Sequence, residues 1–273
     1  MTISRIALYC LIGGLVITFG ALGTGGFLWW WLGGILFAAS FVPVARFGPR
    51  GAPAQFGVIV PVFLIVTAAC LWSEALIFVP EFQQRVRLRD FVAYAVTYVI
   101  FALVLAVLAV LLKLPQAEGP SAELRPIAAL VGLVLVCGIA YAFYYLVFGS
   151  IAYQFFTKQY YPHAEELVAR VGVWFWPIEI ARGVLMTLAV LPAIRTLHLS
   201  RWQTAIAVSV LIWVTGGLAP LVLPNAGMGP RQRFIHVIEI FTQNASLGFT
   251  AGLLLRKRQA GHASAVSDAV VAA

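Results

Sequence analysis

The chain has 273 residues, 62% of them hydrophobic and only 10% charged, with a formal net charge of +8. Soluble domains carry about 25% charged residues, so composition excludes an ordinary soluble fold and predicts an all-α, polytopic integral membrane helix bundle with about eight transmembrane helices. Continuous apolar runs exclude a β-barrel, and the positive charge, with no basic aromatic stretch beside it, predicts contact with membrane lipids and no nucleic acid.

In chain order, Met-Thr-Ile-Ser-Arg5 leads into an apolar run with no small-residue cleavage site, which reads as an anchor rather than a signal peptide. The predicted spans are 6–23, 27–46, 57–79, 91–112, 127–148, 172–194, 203–223 and 234–255. Each is long enough to cross about 30 Å of hydrocarbon. Gly23-Thr24-Gly25-Gly26 leaves a very short first connection, and Trp29-Trp30-Trp31 suits a membrane–water interface. The longest connection, 149–171, mixes Tyr153, Phe155, Phe156, Tyr160 and Tyr161 with His163, Glu165 and Glu166. It reads as an interfacial segment or a cap over the bundle. Residues 1–258 form one predicted transmembrane domain, and 259–273 a short disordered polar tail. Cys10, Cys70 and Cys137 lie inside apolar runs without a C-x-x-C, so they read as small buried hydrophobes rather than a disulfide or zinc site.

Outside the spans, Arg5, Arg46, Arg50, Lys113, Arg125, Arg195, Arg201, Arg256, Lys257 and Arg258 fall on the side of the termini. Arg85, Arg87, Arg89, Lys158, Arg170, Arg231 and Arg233 fall opposite. This balance favours cytoplasmic termini in a bacterial-type inner membrane, against the pull of the Arg85–Arg89 cluster.

Glu74, Glu179, Arg182, His236 and Glu239 sit inside predicted spans. An ionised side chain there costs about 2.5–3.5 kcal/mol at a helix centre, so it turns inward to a partner. Glu74 is near the end of the third span, Glu179 and Arg182 are in the first half of the sixth, and His236, Glu239, Gln243 and Asn244 are in the first half of the eighth. Odd spans end, and even spans begin, on the side away from the termini. All these residues therefore fall in one half of the bilayer or near its midplane, whichever way the chain inserts; with cytoplasmic termini that half is extracytoplasmic. Thr67, Cys70, Glu74 and Phe78 share one helical stripe, and Glu179 and Arg182 are three residues apart. Asp90, Tyr94, Thr97 and Tyr98 and the trio Tyr141, Tyr144 and Tyr145 lie in the same half. Pro177 predicts a kink or a freed carbonyl beside Glu179. Gly248-x-x-x-Gly252 predicts a close helix contact.

The candidate site is thus Glu74, Glu179, Arg182, His236, Glu239 and Asn244, with His236 and Glu239 the candidate metal ligands; no cofactor is indicated. Three acids face one arginine within the spans, so the excess carboxylates must hold protons, pair with His236, bind a cation or reach a loop arginine.

Three readings stay open. The groups form a network that fixes helix packing; or a membrane-embedded enzyme acts on a small hydrophobic, lipid or lipid-linked substrate; or the chain is a proton-coupled transporter. For the enzyme, Glu74 would activate water, His236-x-x-Glu239 would supply an acid/base pair, and Arg182 and Asn244 would stabilise an oxyanion or bind a headgroup phosphate. A transporter would be better served by polar residues in both halves, and the half near the termini is nearly free of buried charge. A Glu/His/Asn set with an arginine is loosely similar to that of the CAAX-protease-like membrane hydrolases. Their paired-glutamate E-E-x-x-x-R motif is absent: Ser73-Glu74 holds one glutamate, position 78 is Phe, and the eighth span has no second H-x-x-x-N histidine. The family is therefore not assigned, and the oligomeric state is not legible.

Overall fold

The computed structural model describes residues 2–20, 25–78, 87–115, 125–160, 171–224 and 229–257. Arg85, Arg170, Arg258, the His163/Glu165/Glu166 group and the predicted tail 259–273 lie outside them. The described residues form eight helical rods: α1 Thr2–Gly20, α2 Phe27–Phe47, α3 Ala52–Ile77, α4 Leu88–Leu111, α5 Ile127–Thr157, α6 Gly172–Thr196, α7 Arg201–Val222 and α8 230–255. Six of them, α2 to α7, are long and apolar enough to cross a membrane. The chain is a multi-pass helical protein of the integral-membrane type.

The two rods outside that set depart from the expected spans for different reasons. In α1 the apolar stretch Ile3–Phe19 is short. In contrast α8 has the length, but Arg231, Arg233, His236, Glu239, Gln243 and Asn244 dilute its first half. The count of eight is accordingly approximate. The expected long connection 149–171 is also shorter than read from sequence. Here α5 runs on through Tyr153–Thr157 in π-helical form, and a 3-10 turn comes next over Lys158–Tyr160. Of the aromatic residues that suggested a cap, Tyr153, Phe155, Phe156 and Tyr160 are helical, with Phe155 and Phe156 exposed, and Tyr161 lies outside the described residues.

Apolar side chains cover both faces of the rods, as expected where lipid replaces water. On α4 the buried stripe is Phe101, Ala102, Leu105, Ala106 and Ala109, and the exposed stripe Val92, Val96, Ile100, Leu103 and Val107 is equally apolar. Within the core an aromatic cluster joins α2, α3 and α4: Phe63 lies 5.5 Å from Phe37, 5.1 Å from Tyr98 and 5.2 Å from Phe101 between ring centroids. Such pairs add about 0.5–1.5 kcal/mol each beyond the area they bury.

Glycine permits two close helix contacts around the polar residues. A methyl group on Gly183 of α6 would stand 2.6 Å from Tyr141 Cβ and 2.9 Å from Gly138 Cα of α5. One on Gly248 of α8 would stand 2.6 Å from Ser209 Cα of α7. The expected close contact through Gly248 and Gly252 is therefore made, with α7 as the partner.

Prolines set the breaks. The α2 rod bends at Phe41, two residues before Pro43. Pro61 precedes a π-helical stretch, Val62–Cys70, in α3. Pro177, expected to kink α6, sits instead in its first α-helical turn, after a 3-10 turn over Gly172–Trp174. A helix tolerates proline there because the N–H it lacks would have had no partner.

Candidate functional site

Arg182 is the hub of the buried polar residues. Its Nη1 donates to both carboxylate oxygens of Glu179, at 3.0 and 2.8 Å, and its Nη2 donates to Glu74 Oε2 at 2.6 Å. The first pair is local, one helical turn apart on α6; the second joins α6 to α3 across 108 residues of sequence. Tyr145 of α5 donates its hydroxyl to the other oxygen of Glu74 at 3.2 Å. The guanidinium also lies over the rings of Tyr141 and Tyr145, 5.8 and 5.6 Å from their centroids, a favourable placement for a desolvated cation. Cys70, one turn before Glu74, is buried beside the same group. The remaining donor, Arg182 Nε, is buried with no partner among the described residues.

A second cluster lies on α8. His236 Nδ1 and Glu239 Oε2 are 3.0 Å apart, and Gln243 Nε2 reaches Glu239 Oε1 at 3.5 Å. Among the described residues His236 Nε2 has no hydrogen-bond partner. The two clusters meet at α5. One turn after Tyr145, Gly149 faces α8 so closely that a methyl there would stand 3.6 Å from Glu239 Oε1 and 3.5 Å from Gln243 Nε2. Glu74 is near enough to His236 to act on its charge.

Accessibility grades along this path. Glu179 is completely buried and the Arg182 side chain is 7% exposed, whereas Glu74, His236 and Glu239 are 20, 18 and 15% exposed. The network therefore has a closed deep end on α6 and a partly open end on α3 and α8.

The structure brings together Glu74, Glu179 and Arg182, and joins His236 with Glu239. Asn244 makes its hydrogen bond elsewhere: it is buried and donates to Gly216 O of α7 at 3.3 Å. Arg182 is likewise occupied by carboxylates rather than presented to a ligand. Asp90 stays apart as well: it accepts from Arg87 N at 3.1 Å and caps the exposed start of α4. Tyr94 and Tyr98 bond each other through their hydroxyls. As for metal, no group of three or more His, Cys, Asp or Glu among the described residues is placed to hold an ion. The two candidate ligands, His236 and Glu239, hydrogen-bond one another.

Sequence reading missed the π-helical junction that holds Asn244. Three π-helical stretches, Val62–Cys70, Val214–Leu218 and Phe241–Ala245, belong to the rods that meet here. Such stretches make up well under 1% of residues in general. In α7 the Ala219 N–H reaches back five residues to Val214 O. Pro220 then stands where the donor for the Thr215 and Gly216 carbonyls should be, and it has no N–H. Thr67 Oγ1 of α3 donates to Thr215 O at 2.9 Å and Asn244 of α8 to Gly216 O. Gly216-Gly217 followed by Pro220 was the available signal, because it leaves two carbonyls that need outside donors.

No family model, curated protein or solved structure matches the chain. The partial likeness to the CAAX-protease-like hydrolases thus rests on residue types alone.

Proposed function

We propose that the chain is a membrane-embedded enzyme acting on a lipid or lipid-linked substrate, with the His236–Glu239 pair as its proton-accepting group. The carrying observation is the orientation of that pair: Glu239 engages Nδ1 of the ring at 3.0 Å, and Nε2 is left without a partner among the described residues at the partly open end of the network. A carboxylate on one ring nitrogen fixes the tautomer and stabilises the imidazolium that forms when the other nitrogen takes a proton from water or a substrate hydroxyl. Glu74 adds a second carboxylate near the ring, and Arg182 positions Glu74 through their ion pair. Three acids against one arginine leave negative charge in excess of what the arginine balances, and a proton taken up by His236 reduces that excess. The polar residues gather in one half of the rods, which suits a site served from one face better than alternating access. On this reading the termini are cytoplasmic and the site faces the extracytoplasmic side of a bacterial inner membrane.

A second reading has its own support. Arg182 pairs with two carboxylates and two aromatic rings, an arrangement sufficient to lock α3, α5 and α6 together with no chemistry at all.

The two readings separate by lipid analysis of membranes from cells producing the wild-type chain, His236→Gln or Glu239→Gln. The enzyme reading expects a lipid species to change in abundance with the wild-type chain and not with either variant, at equal amounts of folded protein. Identical lipid profiles from all three would overturn it and leave the packing network.

A further inference from the structure

We infer that the outer seam between α5, α7 and α8, at the end of the bundle bearing the termini, binds one anionic phospholipid. Its phosphate would lie between Arg125 and Arg201, and one acyl chain would run along α8. The two arginines enter from different rods, at the start of α5 and the start of α7, and donate through Nε to successive carbonyls of α8: Arg125 to Leu254 O and Arg201 to Leu253 O, each at 2.8 Å. Successive residues of a helix are about 1.5 Å apart along its axis and turned by about 100°, so the two arginines reach adjacent carbonyls of one helix end from the two rods that flank it. Their Nη groups make no hydrogen bond among the described residues. The C-terminal partial charge of α8, about −0.5, offsets only part of the two positive charges. No Asp or Glu among the described residues lies at this end; the four described acids, Glu74, Asp90, Glu179 and Glu239, are all elsewhere. Two planar forks held by Nε with their outer edges open match the oxygens of a phosphate group.

The surroundings select a lipid over a soluble anion. Ile127, two residues after Arg125, is 81% exposed, and Trp202, next to Arg201, is 61% exposed, so both arginines border the lipid-facing wall. The Trp202 ring lies 5.8 Å from that of Phe249, an aromatic pair at headgroup level. Phe249 in turn lines an open groove of about 270 Å³ with Phe148 of α5, Ser209 of α7 and Phe241 of α8. The Ser209 hydroxyl is engaged by Ala245 O at 2.7 Å and the Thr242 hydroxyl by Glu239 O at 2.7 Å, so of the hydroxyls lining the groove these two are already satisfied within the protein. Along α8, Phe241, Ala245, Phe249 and Leu253 fall on one stripe that leads from the groove to the arginines. Phosphate and chain sites therefore form one continuous track.

Native mass spectrometry of the full chain tests this, after exchange into vesicles of phosphatidylglycerol or phosphatidylcholine and release in mild detergent. One retained phosphatidylglycerol per chain is expected, at least tenfold over phosphatidylcholine. Arg125→Gln/Arg201→Gln should abolish the preference. Ala245→Trp, which fills the groove and leaves the arginines intact, should reduce retention of either lipid, and it serves where the double variant does not fold. Inorganic phosphate at millimolar concentration should not displace the lipid. Equal retention of the two lipids by the wild-type chain, unchanged preference in Arg125→Gln/Arg201→Gln, unchanged retention in Ala245→Trp, or displacement by phosphate alone would each overturn the assignment.

Discussion

The two ends of this bundle use arginine differently. At one end Arg182 is neutralised by carboxylates, Glu179 on its own helix and Glu74 on another. At the other, Arg125, Arg201 and Arg256 donate to main-chain carbonyls: Leu254 O, Leu253 O and, at 2.8 Å, Leu197 O. Helix position explains the difference. The last turn of a helix offers carbonyls with no internal partner, and an arginine arriving there needs no acid. Arg182 lies in the interior of α6, where every carbonyl is engaged, so only side chains can meet its charge. A single carboxylate would balance it. Two carboxylates meet it instead, and a third acid, Glu239, pairs with His236 on α8.

The contrast between the ends can be broken at four points. The largest effect is expected from Arg182→Met, which strips the buried Glu179 and the partly exposed Glu74 of their shared cation and should cost about 3–5 kcal/mol, measured by thermal unfolding in detergent. Adding Glu74→Gln and Glu179→Gln should recover most of that loss, because an uncharged set of similar volume replaces the whole ion network; no recovery would mean that packing around Arg182, not charge, sets the cost. Next, Asn244→Ala should cost about 1–3 kcal/mol by leaving the buried Gly216 carbonyl without a donor. In a Pro220→Ala background the loss should shrink, since a backbone N–H returns beside that carbonyl; a double-mutant cycle with no coupling would refute the role given to Pro220. At the opposite end Arg201→Met should cost only about 1 kcal/mol, because water or headgroups replace its bond to Leu253 O. Asp90→Asn is expected to be smallest, about 0.3–1 kcal/mol at an exposed helix start, read by the same unfolding assay. If Arg201→Met proved as costly as Arg182→Met, the contrast would fail.

Much of the deep end was legible in the residues alone. Glu179 and Arg182 had to share a face at a spacing of three, and Glu74 had to lie at the same depth, because chain direction reverses at each span. The pairing of Glu74 with Arg182 was only one of several possible outcomes, since depth restricts a contact without choosing it. Asn244 shares an arc of α8 with His236 and Glu239 if the rod is an ideal α-helix, but it lies within the π-helical stretch Phe241–Ala245 and donates to Gly216 O of α7, a contact that an ideal helical arc does not encode. Tyr145 was expected in the same half as the acids, and it does bond Glu74, yet nothing in its spacing distinguished it from Tyr144, which bonds Thr250 at 2.9 Å. The extension of α5 through Thr157 was hidden by aromatic and polar residues that resemble a loop.

By itself the sequence determined the class of the molecule and its long apolar rods, and it led to the expectation that the acids within the spans share one half of the bilayer. Local composition and a count of chain reversals suffice for these, since apolar length and chain direction need no knowledge of neighbours. The tertiary structure alone decided which carboxylates meet Arg182, that Asn244 serves a carbonyl left bare by Pro220, and that arginines from two rods converge on the end of α8. Each of these depends on the rotation and closeness of rods distant in the chain, which glycine contacts and π-helical turns set and hydrophobicity does not encode.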